Sequence, residues 1–418
     1  MLRVTPRASP QINVGAVHAL KAEENLFSLN RSRRYQLMNQ RALTVTTVLF
    51  FVTTLLFLLI FFVNKTSARS LWLCFVVLYL IGLHFIVLRL LFTRFLGSTR
   101  ATSILVNISL VATASLIVLI SAEFSLRFVF RDVTTTGDNL SYFSAQWIKT
   151  VHYNRWGFRE RDFEPIKPSN IYRIAAVGDS LTFGQGISEK DRFSNLLEDK
   201  LNQNSGRRKF QVLNFGMPGA ETSDEIGILT RAVLINKPDF ILLQWYINDV
   251  NSVDDKRHMP HTTTIIPGKL RRNSVLFYLA HRELSQAQVR LNMVENSQQY
   301  TLDHFGDPNS RSSLNATESM DTFVKICRDA HIPLGIVLFS DTYFDPSSKL
   351  DFLLERMVAY CKEKGIPYVD TRKVLLPMQG NPALRASRFD PHPSAVANHL
   401  VANEILKKFG DMWSRQPM

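Results

Sequence analysis

Three long apolar runs near the N-terminus constrain the fold of this chain more than any other feature. Residues 42–63 form 22 positions without a charge, residues 71–92 are interrupted only by Arg89 among charged residues, and residues 102–120 are again uncharged. A helix needs about 20 apolar residues to cross the hydrocarbon of a bilayer. The sequence therefore predicts three transmembrane helices, with Asn107 of the third facing another helix rather than lipid.

Charge predicts the orientation of these helices. Up to Arg100 the chain has 12 Lys/Arg against two Glu, a net charge of +10, whereas the remaining residues hold 37 Lys/Arg against 34 Asp/Glu, or +3. Positive charge in short loops marks the cytoplasmic side. We expect residues 1–41 to be a basic cytoplasmic tail and everything after about residue 122 to lie outside the cytoplasm. About forty residues precede the first run, which argues against a cleaved signal peptide.

The same distribution excludes two function classes. A purely cytosolic soluble protein would not carry the apolar runs, and a nucleic-acid-binding protein would carry its basic excess on the soluble part. The three cysteines, Cys74, Cys327 and Cys361, cannot build a disulfide framework. Membrane lipid is thus an expected partner, and nucleic acid is not.

After residue 170 the pattern changes to short apolar strands that alternate with amphipathic helices. Residues 123–170 are interpreted as a linker and residues 171–410 as a domain with a cap-like insertion at 251–317. The predicted strands are residues 172–177, 210–214, 240–246, 333–339 and 367–370. The predicted helices are residues 193–202, 223–234, 318–330, 350–363 and 394–409, with a further helical piece near 275–294. Such alternation predicts an α/β fold with a parallel sheet that is covered on both faces.

Polar residues follow the strands or open the last helix. They are Gly178-Asp179-Ser180, then Asn214 through Gly219, then Asn248-Asp249, and finally Asp390-Pro391-His392. Taken alone, the first block is equally well read as a turn or a helix cap, the second is better read as a turn, the third is plausible as a helix cap, and a lone His before a helix is more often structural than catalytic. Together they supply a nucleophile, a base with a carboxylate to orient it, and donors for an oxyanion, all at the one edge of a parallel sheet where they could converge.

These four blocks resemble the SGNH (GDSL-type) hydrolase family, over roughly residues 172–409. The resemblance implies a three-layer α/β/α domain that hydrolyses esters without a metal or an organic cofactor. It implies Ser180 as nucleophile, with Asp390 and His392 as acid and base. It further implies an oxyanion hole formed by the Ser180 and Gly219 N–H groups and the Asn248 amide, with Gly216 as the alternative glycine.

The sequence departs from the family pattern at two places. The usual last block is D-x-x-H, but Phe389 occupies the position three before His392 and Asp390 stands two before it. Because Pro391 biases Asp390 towards an extended conformation, residues two apart would point to the same side and could still pair. Block three reads Tyr-Ile-Asn-Asp instead of Gly-Gly-Asn-Asp. Residues 154–159 (NRWGFR) also resemble a segment ahead of block one in bacterial membrane-attached members.

The leading hypothesis is a membrane-anchored serine ester hydrolase of esterase, lipase or deacetylase type, acting outside the cytoplasm on a small-molecule, glycan or lipid ester. One alternative is an O-acyltransferase that uses the same triad on a cell-envelope glycan. Another is an inactive domain that binds acylated carbohydrate. A metal pair at His258 and His261 is not predicted, because Pro260 interrupts any helix between them.

Overall fold

The computed structural model describes Leu29, Gly82 and residues 100–203, 208–251, 262 and 265–415. It divides the chain into two units, Met1–Phe128 and Val129–Met418. Apart from Gly82, the first two predicted transmembrane runs lie outside the described residues, and so do His258 and His261.

Helix α1 runs from Arg100 to Val129 and includes the third predicted transmembrane run. The part of α1 that is long and apolar enough to cross a membrane is Val111–Val129, and none of it is buried within the structure. Among the described residues, α1 is the one helix with the length and composition needed to cross a membrane. Near its end, Glu123 and Arg127 form an ion pair of 2.6 Å one helical turn apart.

The second unit is built on a five-stranded sheet. Its strands are β1 Ile171–Gly178, β2 Lys209–Gly216, β3 Phe240–Tyr246, β4 Leu334–Phe339 and β5 Tyr368–Asp370. They lie in the order β2-β1-β3-β4-β5, and every neighbouring pair is parallel. The predicted parallel sheet is confirmed. A separate antiparallel pair joins β6 Arg385–Ser387 to β7 Asp390–Pro393.

Helices cover both faces of the sheet. In chain order they are α2 Tyr142–Trp147, α3 Ser180–Phe183, α4 Phe193–Gln203, α5 Thr222–Ile228, α6 Gly268–Asn273, α7 Val275–Arg290, α8 Ser297–Phe305, α9 Arg311–Asp329, α10 Asp351–Glu363, α11 Arg372–Leu375 and α12 Ala395–Arg415.

Alternation along β1 shows how the layers form. Ile174 and Ala176 join the hydrophobic core that contains α4 and α12, whereas Ala175 and Val177 join the core that contains α5, α9 and α10. Successive strand residues point to opposite faces, so an apolar strand of this kind must be covered on both sides. The predicted three-layer α/β arrangement is confirmed.

Several helix boundaries differ from those predicted. α9 begins at Arg311, seven residues before the predicted Glu318, because the Ser310 side chain caps it by accepting from the Ser313 N–H. The helix predicted at 223–234 is α5 followed by a π-helical turn, Leu229–Val233, and a 3₁₀ turn, Leu234–Asn236. The last helix extends to Arg415, and the insertion contains α6, α7 and α8.

The segment between α1 and β1 contains fully buried positions. Val133, Thr135, Thr136 and Phe143 are all at most 7% exposed. The Phe143 ring contacts those of Phe389 and three other aromatic residues of this unit. This segment is therefore part of the core of the second unit.

Candidate active site

Ser180 is fixed at the carboxyl end of β1 by a tight strand-to-helix connection. Asp179 caps α3 by accepting from the Leu181 N–H at 2.8 Å. Gly184 ends this one-turn helix in the left-handed region, with φ +75°. From β3, Gln244 Oε1 accepts from Thr182 N at 3.1 Å and from Thr182 Oγ1 at 2.8 Å. Ser180 therefore has a rigid setting with its hydroxyl at the sheet edge.

The two glycines after β2 have different positions. A Cβ on Gly216 would lie 2.2 Å from the Phe183 backbone nitrogen, so only glycine allows α3 to pack on the strand end. The Gly216 N–H also donates to Asn214 Oδ1 at 3.0 Å. Gly219 has φ +76°, open space around its Cα, and a place in the wall of the cavity beside Ser180.

Asn248 lies in the 3₁₀ turn Ile247–Val250 that follows β3. Asp249 holds this turn, because its Oδ2 accepts from the Tyr246 N–H at 2.7 Å. The Asn248 Nδ2 group donates to Asp179 Oδ2 at 3.3 Å. The amide is thereby directed towards the connection that carries Ser180.

Asp390 and His392 lie two apart on β7 and pair directly despite the short spacing. The distance from His392 Nδ1 to Asp390 Oδ1 is 2.5 Å. On the other side of the ring, His392 Nε2 lies 2.8 Å from Ser180 Oγ. The structure thus joins three of the predicted site residues in one hydrogen-bonded chain.

Burial and hydrogen bonding act in opposite directions on this pair. Burial alone lowers the pKa of His392, but the hydrogen bond and charge of Asp390 outweigh it and raise the pKa above its ordinary value. Burial raises the pKa of Asp390, but the hydrogen bonds and charge of His392, with a bond from Thr135, lower it below its ordinary value. The pairing therefore favours a charged Asp390 carboxylate beside the His392 ring.

These groups line a cavity of about 270 Å³. Of the predicted residues, Ser180, Gly219, Asn248 and His392 are in its wall. The remainder of the wall consists of Gly137, Asn139, Asp179, Leu181, Gln185, Pro218, Tyr246, Tyr343, Phe344 and Pro391. In the described ranges, no group of three or more His, Cys, Asp or Glu side chains is placed to hold a metal ion.

Arg159, in the NRWGFR stretch, binds the end of α3 and the loop that follows it. Its guanidinium donates to the carbonyl oxygens of Phe183 at 3.1 Å, Gly184 at 2.6 Å and Ile187 at 2.7 Å. The side chain is 5% exposed, so these bonds satisfy a buried charge and fix the loop that follows α3. Sequence reasoning singled out this stretch only by resemblance.

Two further contributors to the site were not predicted. Thr135 donates a hydrogen bond to Asp390 Oδ2, and Asn139 lines the cavity. Both lie in the segment between α1 and β1. The only signal there is the polar run Thr134-Thr135-Thr136 after a long apolar helix, and such a run carries no periodicity that would indicate its packing.

Comparison with known proteins defines the family. The GDSL-like Lipase/Acylhydrolase family matches residues 176–400, more than half of the chain. The chain belongs to this family. As a member of the GDSL-like lipases and acylhydrolases, it is an ester-hydrolysing enzyme. No curated protein gave a match.

Solved structures with a similar fold include three bacterial proteins. A member of the lipolytic protein G-D-S-L family from Veillonella parvula is 17% identical, with 57% of this chain and 98% of that chain covered and a TM-score of 0.34. The lipase/acylhydrolase from Enterococcus faecalis is 16% identical, with 59% of this chain and 99% of that chain covered and a TM-score of 0.37. A catalytic mutant of an acetylxylan esterase from Geobacillus stearothermophilus is 17% identical, with 61% of this chain and 100% of that chain covered and a TM-score of 0.37.

Proposed function

We propose that this enzyme hydrolyses esters with a Ser180–His392–Asp390 triad. The observation that carries the proposal is the continuous chain of contacts from Ser180 Oγ through both ring nitrogens of His392 to Asp390 Oδ1, with distances of 2.8 and 2.5 Å. A serine hydroxyl becomes a nucleophile only when a neighbouring base can take its proton, and the base needs a partner that fixes its tautomer.

In this mechanism Ser180 Oγ forms a bond to the ester carbonyl carbon while its proton passes to His392 Nε2. The carbonyl π electrons move to oxygen and give a tetrahedral oxyanion. When that intermediate collapses, the bond to the alcohol oxygen breaks, and His392 returns the proton to the leaving alcohol. Water then attacks the acyl-serine with the same assistance and releases the carboxylic acid. Asp390 stabilises the imidazolium in both halves.

The oxyanion would be held by the N–H groups of Ser180 and Gly219 and by Asn248 Nδ2. The choice of Gly219 over Gly216 is supported by two observations. The Gly216 N–H already donates to Asn214 Oδ1, whereas Gly219 lines the cavity with Ser180 and Asn248. Donors placed where negative charge develops are among the largest contributions to catalysis.

The test of the triad is labelling and turnover by the full chain in detergent. Ser180→Ala should abolish both hydrolysis of p-nitrophenyl acetate and labelling by a fluorophosphonate probe. Ser194→Ala is the matched control, since Ser194 is also buried but its hydroxyl contacts Asn214 rather than a histidine. Wild-type labelling of a folded Ser180→Ala protein would overturn the mechanism.

We further propose that the enzyme is anchored by three transmembrane helices and acts outside the cytoplasm on a small-molecule, glycan or lipid ester. The apolar character of α1 supports the third helix, and the basic N-terminal quarter supports the orientation. A reporter fused after Met418 should be active only if it requires the extracytoplasmic side. Activity of a reporter that requires the cytoplasm would contradict this topology.

A further inference from the structure

The segment between α1 and β1 reaches the acid of the proposed triad. Thr135 is completely buried, and its hydroxyl donates a hydrogen bond to Asp390 Oδ2 from 255 positions earlier in the chain. This segment precedes residues 176–400, the part of the chain that matches the family. The Thr135–Asp390 contact therefore joins a residue outside the family-matching region to a residue inside it.

Thr135 completes the hydrogen bonding of the Asp390 carboxylate. Oδ1 accepts from the backbone N–H of His392 at 3.0 Å and contacts its ring nitrogen at 2.5 Å. Oδ2 is held by Thr135. With a donor on each oxygen, the carboxylate cannot rotate about its χ2 angle without losing a bond. The ring it orients is consequently fixed in the plane that presents Nε2 to Ser180.

The surrounding chain keeps Thr135 in place. Ser387 Oγ donates to the Thr135 carbonyl oxygen at 2.7 Å, and Thr134 Oγ1 donates to the Gly186 carbonyl oxygen at 3.1 Å. A Cβ on Gly186 would lie 2.4 Å from Thr135 Oγ1, and Gly186 has φ +82°. Glycine at this position leaves room for the hydroxyl. The segment between α1 and β1 therefore packs against β6 and the loop after α3, and the hydrogen bond from Thr135 to Asp390 lies at this junction.

We propose that Thr135 is a positioning residue that orients Asp390, and through it His392, from outside the family-matching region. The inference rests on the proposed triad and adds a fourth member to it. Thr135 also compensates for the two-residue spacing of Asp390 and His392. The Asp390 carboxylate lies on the short strand β7, and the Thr135 hydroxyl supplies a donor from another part of the chain that fixes its orientation.

The inference is tested with three variants of the full chain in detergent. Thr135→Val removes the hydroxyl with little change of volume, and kcat for p-nitrophenyl acetate should fall about tenfold while KM stays within about twofold. Thr135→Ser keeps the donor and should restore most of kcat. Thr371→Val is the matched control. It also removes a buried hydroxyl, but that hydroxyl donates to the Leu338 carbonyl oxygen at 2.9 Å and not to the triad, so kcat should be unchanged.

The pH profile distinguishes positioning from a merely structural role. His392 faces the carboxylates of Asp390 and Asp179, and the phenols of Tyr278 and Tyr343 lie near Asp390. All four remain in Thr135→Val. Without its donor, the Asp390 carboxylate can turn away from the protonated ring and stabilises it less, so the acidic limb of kcat/KM should move to lower pH. The serine variant should return it to the wild-type position.

The outcomes separate this inference from the proposed triad. If Ser180→Ala and His392→Ala are inactive while Thr135→Val has normal kcat and an unshifted limb, Thr135 has no positioning role and the triad stands. If Ser180→Ala remains active, the triad itself is wrong. Thr135→Ala removes the same donor without adding volume, and it decides the question if the valine variant does not fold.

Discussion

Two buried carboxyl groups of this unit, Asp390 and Glu225, have pKa values shifted in opposite directions although both are inaccessible to solvent. Asp390 is 1% exposed and Glu225 is 0% exposed. Asp390 accepts hydrogen bonds from His392 and Thr135, and its pKa is lowered. Neither oxygen of Glu225 has a hydrogen-bond partner among the described residues, and burial, together with the charges of Asp179, Asp224 and Glu221, raises its pKa well above the ordinary value. Donors, rather than depth, decide the direction in which the pKa of a buried acid moves.

This difference separates two sides of the site, the charged wall behind His392 and the neutral wall formed by Asp179 and the turn that carries Asn248. Behind His392 stands a charged carboxylate, which stabilises the imidazolium. In the turn that carries Asn248, burial raises the pKa of Asp249 well above its ordinary value, and the neighbouring carboxyl groups of Glu225 and Asp179 act in the same direction. Burial also raises the pKa of Asp179, whose Oδ2 contacts the Asn248 amide. A carboxyl group whose pKa is raised carries less negative charge at a given pH, so the proposed donors work against less opposing charge on this side.

The largest effect should come from the charged wall. Asp390→Asn replaces the carboxylate with an amide that cannot stabilise the imidazolium, and kcat for p-nitrophenyl acetate should fall at least ~10²-fold, toward the ~10⁴-fold known for a protease triad. The measurement is steady-state kinetics beside His392→Ala. Near-normal turnover of Asp390→Asn with an inactive His392→Ala would mean a Ser–His dyad, in which Asp390 only caps the last helix.

The neutral wall should give a somewhat smaller effect, confined to kcat. Asn248→Ala removes one proposed oxyanion donor, and such a loss typically lowers kcat by ~10²–10³-fold. KM should change little, since the oxyanion forms only during the reaction. Asn236→Ala is the control, because this buried amide donates to the Ala232 carbonyl oxygen at 2.6 Å and does not line the cavity. A change of KM alone would assign Asn248 to substrate positioning instead.

The two walls also differ in how far the sequence predicts them. Ser180, Gly219 and Asn248 follow apolar strands of a parallel sheet, and strand ends of this kind meet at one edge, so local pattern and topology suffice to bring them together. Thr135 has no such signal. Its contact with Asp390 depends on how a segment without periodic pattern packs across the domain, and only the folded structure contains that information.

The fold shows the same division. Strand positions were predictable because buried parallel strands are continuous apolar runs. The π-helical turn Leu229–Val233 and the early start of α9 were not, since they depend on backbone bonding and a single capping serine. The resemblance to a family supplied the roles of Asp390 and His392, and the extended backbone before Pro391 predicted their pairing.

The smallest predicted effect concerns stability rather than rate. Below the ordinary pKa of about 4.5, Glu225 is protonated in both the folded and the unfolded chain. As the pH rises through that value, the unfolded chain releases the proton while the folded protein retains it, so the free energy of unfolding decreases. Glu225→Gln keeps the shape but cannot ionise in either state. The variant should therefore gain stability relative to the wild type as the pH rises from 5 to 8. At pH 8 its Tm should be higher by at least about 2 °C, because each kcal/mol of unfolding free energy shifts Tm by about 2–4 °C in a domain of this size.

Thermal unfolding of the full chain in detergent at several pH values measures this effect, with Glu198→Gln as the matched control. The Glu198 carboxylate accepts from Arg161 Nη2 and from the Val212 N–H, both at 2.7 Å, so the amide should lower Tm at every pH instead of raising it. The kcat of Glu225→Gln should stay near wild type, because Glu225 is not among the residues that line the cavity beside Ser180. A Tm of Glu225→Gln that falls at pH 8 would show that Glu225 is ionised and paired in the native protein. The contrast between the two walls would then be lost, because both would carry charge.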